Sequence, residues 1–210
     1  MKIDLLRVTP LYVNCVMLSD NSKNLIIIDP GGDVDKIIQY TEEGGFKPLM
    51  ILLTHGHFDH IGAVQNLRVK YNTPVSIHKS DELLLKTGPD TARYFGFDDF
   101  TDITVDNYLN DNQEISAGGI VIKVIHTPGH TMGCVCFYLP EINTVFTGDT
   151  LFKEGVGRTD FYESDQSALV DSIRLKLYSL NDDTVVYPGH GHITSIGYER
   201  LQNPYIRDNS

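Results

Sequence analysis

The chain lacks any uninterrupted apolar run near the ~20 residues needed to cross a bilayer. Its first residues, Met1-Lys2-Ile3-Asp4-Leu5-Leu6-Arg7, place charges where a secretory leader needs a continuous apolar stretch. A soluble, cytoplasmic protein with no membrane partner is expected. Basic charge is also scarce, with 17 Lys and Arg against 28 Asp and Glu and a formal net charge of −11. Proteins that grip a phosphate backbone usually present a basic face, so no nucleic-acid partner is expected. Cysteine is sparse and odd in number, with Cys15, Cys134 and Cys136 showing no framework spacing, which suits a reducing compartment. A strand through Gly133-Cys134-Val135-Cys136-Phe137-Tyr138-Leu139 would turn both sulfurs to one face, where packing is favoured over metal ligation.

What is present is ordinary for a globular protein: 210 residues, 41% hydrophobic and 21% charged, enough for one substantial core and one domain over 1–210. Short β-rich runs at 3–8, 15–19 and 24–28 predict an N-terminal meander. Asp29-Pro30-Gly31-Gly32 breaks that pattern, and Asp33 or Asp35 opens a helix that ends near Gly44-Gly45. The apolar run 49–53 reads as a buried strand leading through a turn into a helix from about 61 to 71. A strand at 75–78 precedes a short helix ending near 85. From 87 to 112 the pattern loses periodicity and gathers Gly, Pro, Asp and aromatics, among them Tyr94 and Phe95. So long a connection is expected to be either a loop over the site, with Tyr94 and Phe95 as apolar contacts to a ligand, or a surface loop that its aromatics anchor. Strand signals return at 113–116, 120–125, 134–139, 144–146 and 184–187, with an amphipathic helix opening at Ser164-Asp165-Gln166.

Histidine and aspartate carry the chemistry. Thr54-His55-Gly56-His57-Phe58-Asp59-His60 packs three imidazoles and a carboxylate into a strand-to-helix turn. These ligand types suit zinc and other borderline divalent ions. The same types recur in Thr127-Pro128-Gly129-His130-Thr131, Thr147-Gly148-Asp149-Thr150 and Tyr187-Pro188-Gly189-His190-Gly191, each after a β-rich run.

The order HxHxDH, then His, Asp and His resembles the metallo-β-lactamase superfamily, and more closely its glyoxalase II-like hydrolases of compact bacterial type. That resemblance implies an α+β fold, an αββα sandwich of two mixed β-sheets with flanking helices. It implies that His55, His57 and His130 hold one metal ion, that Asp59, His60 and His190 hold a second, and that Asp149 bridges both. The cofactor would be two divalent ions, zinc first, with iron and manganese also fitting the set. A metal-bridging hydroxide aimed by Asp59 would attack a small-molecule thioester, glutathione-derived in the type enzymes. Asp59 and Asp149 would then be the catalytic carboxylates. Asp29, at the end of its strand, would orient a ligand histidine, with Thr54 beside it.

The stretch Gly155-Val156-Gly157-Arg158-Thr159-Asp160-Phe161 offers a forked cation and an aromatic ring to substrate, although Arg158 has Asp160 and Glu163 as structural partners within reach. Its Gly-Arg-Thr-Asp-Phe form is similar to small prokaryotic members and to persulfide dioxygenases. The alternatives are therefore one-iron persulfide oxidation at His55, His130 and Asp149, or hydrolysis of another small ester or lactone. Glu199-Arg200-x-x-Asn203-Pro204 resembles the short ending of the compact hydrolases, whereas typical glyoxalase II enzymes continue into a helical domain.

Overall fold

The computed structural model describes residues 1–97 and 100–206. Two compact units are defined: Met1–Leu109 with Ser116–Ile120, and Asn110–Ile115 with the chain from Val121 onward. Among the described residues no helix is long and apolar enough to cross a membrane.

The first unit is built on a six-stranded mixed sheet in sequential order: β1 (Lys2–Val8), β2 (Val13–Ser19), β3 (Asn24–Ile28), β4 (Lys47–Leu52), β5 (Val75–His78) and β6 (Asn107–Leu109). The first three strands form an antiparallel meander, and β3 to β6 run parallel. Parallel neighbours need a crossover, supplied by α1 (Val34–Glu43) and then by α2 (Phe58–Ile61) with α3 (Val64–Tyr71). Asp33 stands at the left-handed start of α1 (φ 50°), where its carboxylate accepts from the Thr9 amide and hydroxyl. Strand β2 is buried at every position, and Met17, Leu25, Ile27, Ile51 and Leu53 meet Val64 and Leu67 of α3 in one cluster. Each fully buried side chain of that size is worth ~1.5–3 kcal/mol of transfer free energy.

The predicted loop from 87 is wrong over its first third. Helix α4 runs Glu82–Tyr94 with Pro89 inside it, and its buried positions Leu85, Gly88, Pro89 and Ala92 follow helical spacing. Two of those four positions are the residues that normally break helices, so the stripe does not look like one. Gly88 marks a close approach, because a Cβ there would sit 2.8 Å from the tip of the Ile61 side chain. The same stretch also contains strand β6, and its residues 98–99 lie outside the described residues.

The second unit holds the other mixed sheet, in the order β14 (Thr194–Ser195), β13 (Val185–Pro188), β10 (Thr144–Gly148), β9 (Val135–Leu139), β8 (Ile120–His126), β7 (Glu114–Ala117). Only β10 and β13 are parallel among its recorded pairs. A two-stranded hairpin, β11 (Leu151–Phe152) with β12 (Gly155–Val156), follows β10. Helix α5 (Gln166–Asp171), capped by the Asp165 carboxylate on the Ala168 amide, widens into a π-helical turn at Ser172–Leu177. Helix α6 (Ile196–Gln202) closes the unit and has no counterpart in the sequence reading. Cys134 and Cys136 are both buried, and burial pushes the Cys136 thiol up to about 11. Each sheet has helices against it, the mixed-sheet architecture that the resemblance implied.

Candidate metal centre

In the first unit the parallel pairing of β3 and β4 brings the ends of both strands together. The Asp29 amide donates to the Leu52 carbonyl (3.1 Å), so Asp29 lies beside the turn that carries the histidines. Ligand sites in parallel sheets characteristically gather at such carboxyl ends. Thr54, His55, Asp59 and His60 are buried. Asp29 accepts from the Thr54 amide (2.8 Å) and hydroxyl (2.5 Å), and its Oδ2 accepts from His60 Nδ1 (3.0 Å). With the Thr54 proton committed to Asp29, Thr54 Oγ1 is left to accept from His55 Nδ1 (3.1 Å). Both imidazoles are thereby held as the tautomer whose lone pair is on Nε2, the form a metal ion requires. The Asp29, His55 and His60 donor atoms lie within 4.8 Å of one another, and His60 Nε2 is 3.7 Å from Asp59 Oδ2. The His55 and His57 rings meet edge-on at 4.8 Å.

In the second unit the parallel pair β10 and β13 does the same work. The Gly189 amide donates to the Gly148 carbonyl (2.7 Å), which sets Asp149 beside His190 at the strand ends. Asp149 Oδ2 is 3.7 Å from His130 Nε2 and 3.6 Å from His190 Nε2. Both distances exceed a hydrogen bond. They are near the roughly 3.4 Å expected between nitrogen and oxygen ligands of one tetrahedral ion. His130 Nδ1 donates to the Arg158 carbonyl (2.8 Å), which again leaves the lone pair on Nε2. The donor set in each unit therefore fits a divalent metal ion in residue type, and His55, His60 and His130 fit it in tautomer as well.

The loop that carries His130 is held from several sides by groups outside the HxHxDH, His, Asp and His pattern. His126 donates its amide to Asp111 (2.7 Å) and bonds the Met132 carbonyl through Nε2 (2.9 Å). Lys176 donates to the His126 carbonyl, Ser172 to the Pro128 carbonyl and the Asp165 amide to the Gly129 carbonyl. Burial acts to raise the Asp111 carboxyl, but the His126 amide and the Lys176 ammonium outweigh it and hold it below its ordinary value. In the first unit, buried Asp81 accepts from the Gly56 amide (2.9 Å) and so steadies the turn between His55 and His57. Asp81 is 21 residues beyond His60, and nothing in its local sequence marks it.

Gly157 is dictated by this crowding. A Cβ on it would lie 2.0 Å from the Asp149 carbonyl oxygen and 2.9 Å from His130 Cβ, and neither atom can retreat without moving a ligand-type side chain. Gly157→Ala is expected to lower both metal content and Tm. Gly155→Ala, whose new methyl would meet its nearest neighbour at 3.5 Å, serves as the tolerated control. Elemental analysis and a thermal scan of the two variants check the contrast.

The residues expected to meet substrate are placed as follows. Arg158 forms a two-pronged pair with Asp160 (2.9 and 2.8 Å) and lies over the Phe161 ring at 4.8 Å. Each partner shifts the other, Asp160 holding the guanidinium above and Arg158 holding the carboxyl below the ordinary values. The pair is exposed to water, so it can be exchanged for a substrate carboxylate at little cost. Phe161 meets the His130 ring edge-on at 5.8 Å. Phe95 stacks on Phe58, between His57 and Asp59, at 5.4 Å, while Tyr94 is 86% exposed and touches Phe95 edge-on.

Residues 8–190 match the profile of the metallo-beta-lactamase superfamily. The chain is 39% identical over 212 residues to a Haemophilus influenzae protein named hydroxyacylglutathione hydrolase GloC, covering all of both chains. Among solved structures it is similar to BLEG-1 B3 metallo-beta-lactamase (35% identity, TM-score 0.92, 98% of this chain and 99% of that one). It is also similar to TTHA1623 in a di-iron-bound form (36% identity, TM-score 0.89, 97% of this chain and 100% of that one).

Proposed function

Because this chain belongs to the metallo-beta-lactamase superfamily, we propose that it is a binuclear metal-dependent hydrolase of thioesters, of the hydroxyacylglutathione hydrolase type, acting as one functional domain in the cytoplasm. The observation that carries the reading is the end-to-end match to GloC at 39% identity. The presence of all seven ligand-type side chains supports it. In this assignment His55, His57 and His130 hold one ion, Asp59, His60 and His190 the other, and Asp149 serves both. Zinc is the first choice, and the di-iron form of TTHA1623 makes iron the second. Two such ions polarise a carbonyl and supply hydroxide at neutral pH by lowering the pKa of water towards ~7.

The chain's own groups do the rest. Asp29 and the Arg158 carbonyl fix the imidazole tautomers. Asp59 accepts a hydrogen bond from the attacking oxygen and aims it at the carbonyl carbon. The leaving thiol, with a pKa near ~8.5, departs as thiolate without a strong general acid. Arg158 exchanges Asp160 for a carboxylate of the substrate, and Phe161, Tyr94 and Phe95 supply apolar contact. No nucleic acid or membrane takes part.

The test is kcat/KM for S-D-lactoylglutathione on protein of known metal content, read by free thiol. At least ~10⁴ M⁻¹s⁻¹ is expected, the lower range for enzymes acting on their own substrates. A far lower value moves the substrate to another thioester, ester or lactone. Oxygen uptake with glutathione persulfide instead would establish the second reading, to whose enzymes the Gly157-Arg158-Thr159-Asp160-Phe161 stretch is also similar.

A further inference from the structure

Glu199, on α6, is a fully buried carboxylate among residues to which the reaction assigns nothing. Its Oε2 accepts from the Glu154 amide (2.9 Å) and from Asn203 Nδ2 (2.8 Å), and its Oε1 accepts from the Thr194 hydroxyl (2.6 Å). Asn203, equally buried, also donates to the Gly155 carbonyl (3.0 Å). A buried carboxylate is costly unless its oxygens are satisfied, and here three donors satisfy them. Two of the anchored groups, the Glu154 amide and the Gly155 carbonyl, belong to the β11–β12 hairpin.

That hairpin begins two residues after Asp149 and ends two residues before Arg158. Its Phe152 ring meets the His190 ring at 6.3 Å. Phe152, Lys153 and Glu154 form one wall of a cleft of about 420 Å³ whose other wall is His190, Gly191 and His192. Asp149 and His190 are themselves fixed by the backbone pairing of β10 and β13. The grip of α6 therefore acts on the cleft wall rather than on the metal ligands.

We propose that Glu199 and Asn203 are positioning residues, which hold the hairpin turn and so fix the wall of the cleft beside His190. The carboxylate is used as a hydrogen-bond hub, not as a charge. A glutamine can fill the same role, its oxygen accepting the two N–H groups and its amide donating to Thr194. The proposal rests on the thioesterase reading only for its kinetic readout.

The experiment compares Glu199→Ala, Asn203→Ala and Glu199→Gln in the metal-loaded protein, by steady-state kinetics, metal analysis and amide exchange over 151–156. For Glu199→Ala, KM is expected to rise about tenfold with kcat within about threefold and both ions retained, the signature of lost binding rather than lost chemistry. Exchange in the hairpin should accelerate about tenfold as the Glu154 amide loses its acceptor. Asn203→Ala should show a smaller change of the same kind, and Glu199→Gln should restore near wild-type behaviour.

Wild-type KM and exchange in both alanine variants would overturn the proposal. So would a Glu199→Gln variant as impaired as Glu199→Ala, or metal loss in place of a KM effect. If Glu199→Ala does not fold, the other two variants decide by the same criteria. If the wild-type protein hydrolyses no thioester, the function reading falls, while hairpin exchange still decides whether the grip exists.

Discussion

Asp149→Ala is expected to lower kcat/KM about a thousandfold and to reduce the metal content of the purified protein. One carboxylate oxygen lies 3.7 Å from His130 Nε2 and 3.6 Å from His190 Nε2. No other carboxylate in the second unit stands in that relation to two imidazoles among the described contacts. Removing it takes a ligand from both proposed ions at once. Lewis-acid stabilisation is worth several kcal/mol, and at ~1.4 kcal/mol per tenfold its loss corresponds to roughly three powers of ten. The variant should fold, because Asp149 follows β10 and that strand is held by its backbone pairs with β9 and β13. Full occupancy of both ions in the folded variant would sink the shared-ligand assignment, and an unchanged rate would sink the catalytic one.

How far all this could be read from the sequence depended on how local the cause was. The HxHxDH turn is legible because its ligand-type residues are adjacent in sequence, and β5 is placed at 75–78 because Val75 and Ile77 alternate with Ser76 and His78. Helix α4 is misread because Gly88 and Pro89 occupy its buried stripe, where burial overrides their usual role as breakers. The β11–β12 hairpin has two-residue strands and no period to detect. Glu199 and Asn203 are visible in the sequence only as part of a family-like motif, and their partners, some 45–48 residues earlier, show why they are buried. The tautomers of two ligand-type histidines are equally non-local: His60 is fixed by Asp29, and His130 by the Arg158 carbonyl. Residue type announces a metal ligand, but its aim is set by pairings that the linear order hides.

His190→Ala separates the two-ion reading from the one-ion alternative. His190 serves only the second ion in the proposed assignment, and persulfide oxidation at His55, His130 and Asp149 does not require it. The side chain is 27% exposed and sits after β13, so its removal opens surface rather than a core cavity. Substitutions of that kind usually change stability by no more than ~0.5 kcal/mol. A fall in rate can then be assigned to chemistry. Under the hydrolase reading the metal content drops from two ions towards one, and thioester turnover falls by at least about a hundredfold, because the carbonyl and the attacking oxygen no longer share a two-ion clamp. Under the alternative, oxygen uptake with a persulfide survives within a few fold while one iron remains. Two retained ions with full thioester turnover would remove His190 from the ligand set and leave Asp59, His60 and the shared Asp149 to hold the second ion. Those three protein donors are the number that catalytic sites use, against four with His190, so the variant is expected to hold its second ion more weakly than the wild type.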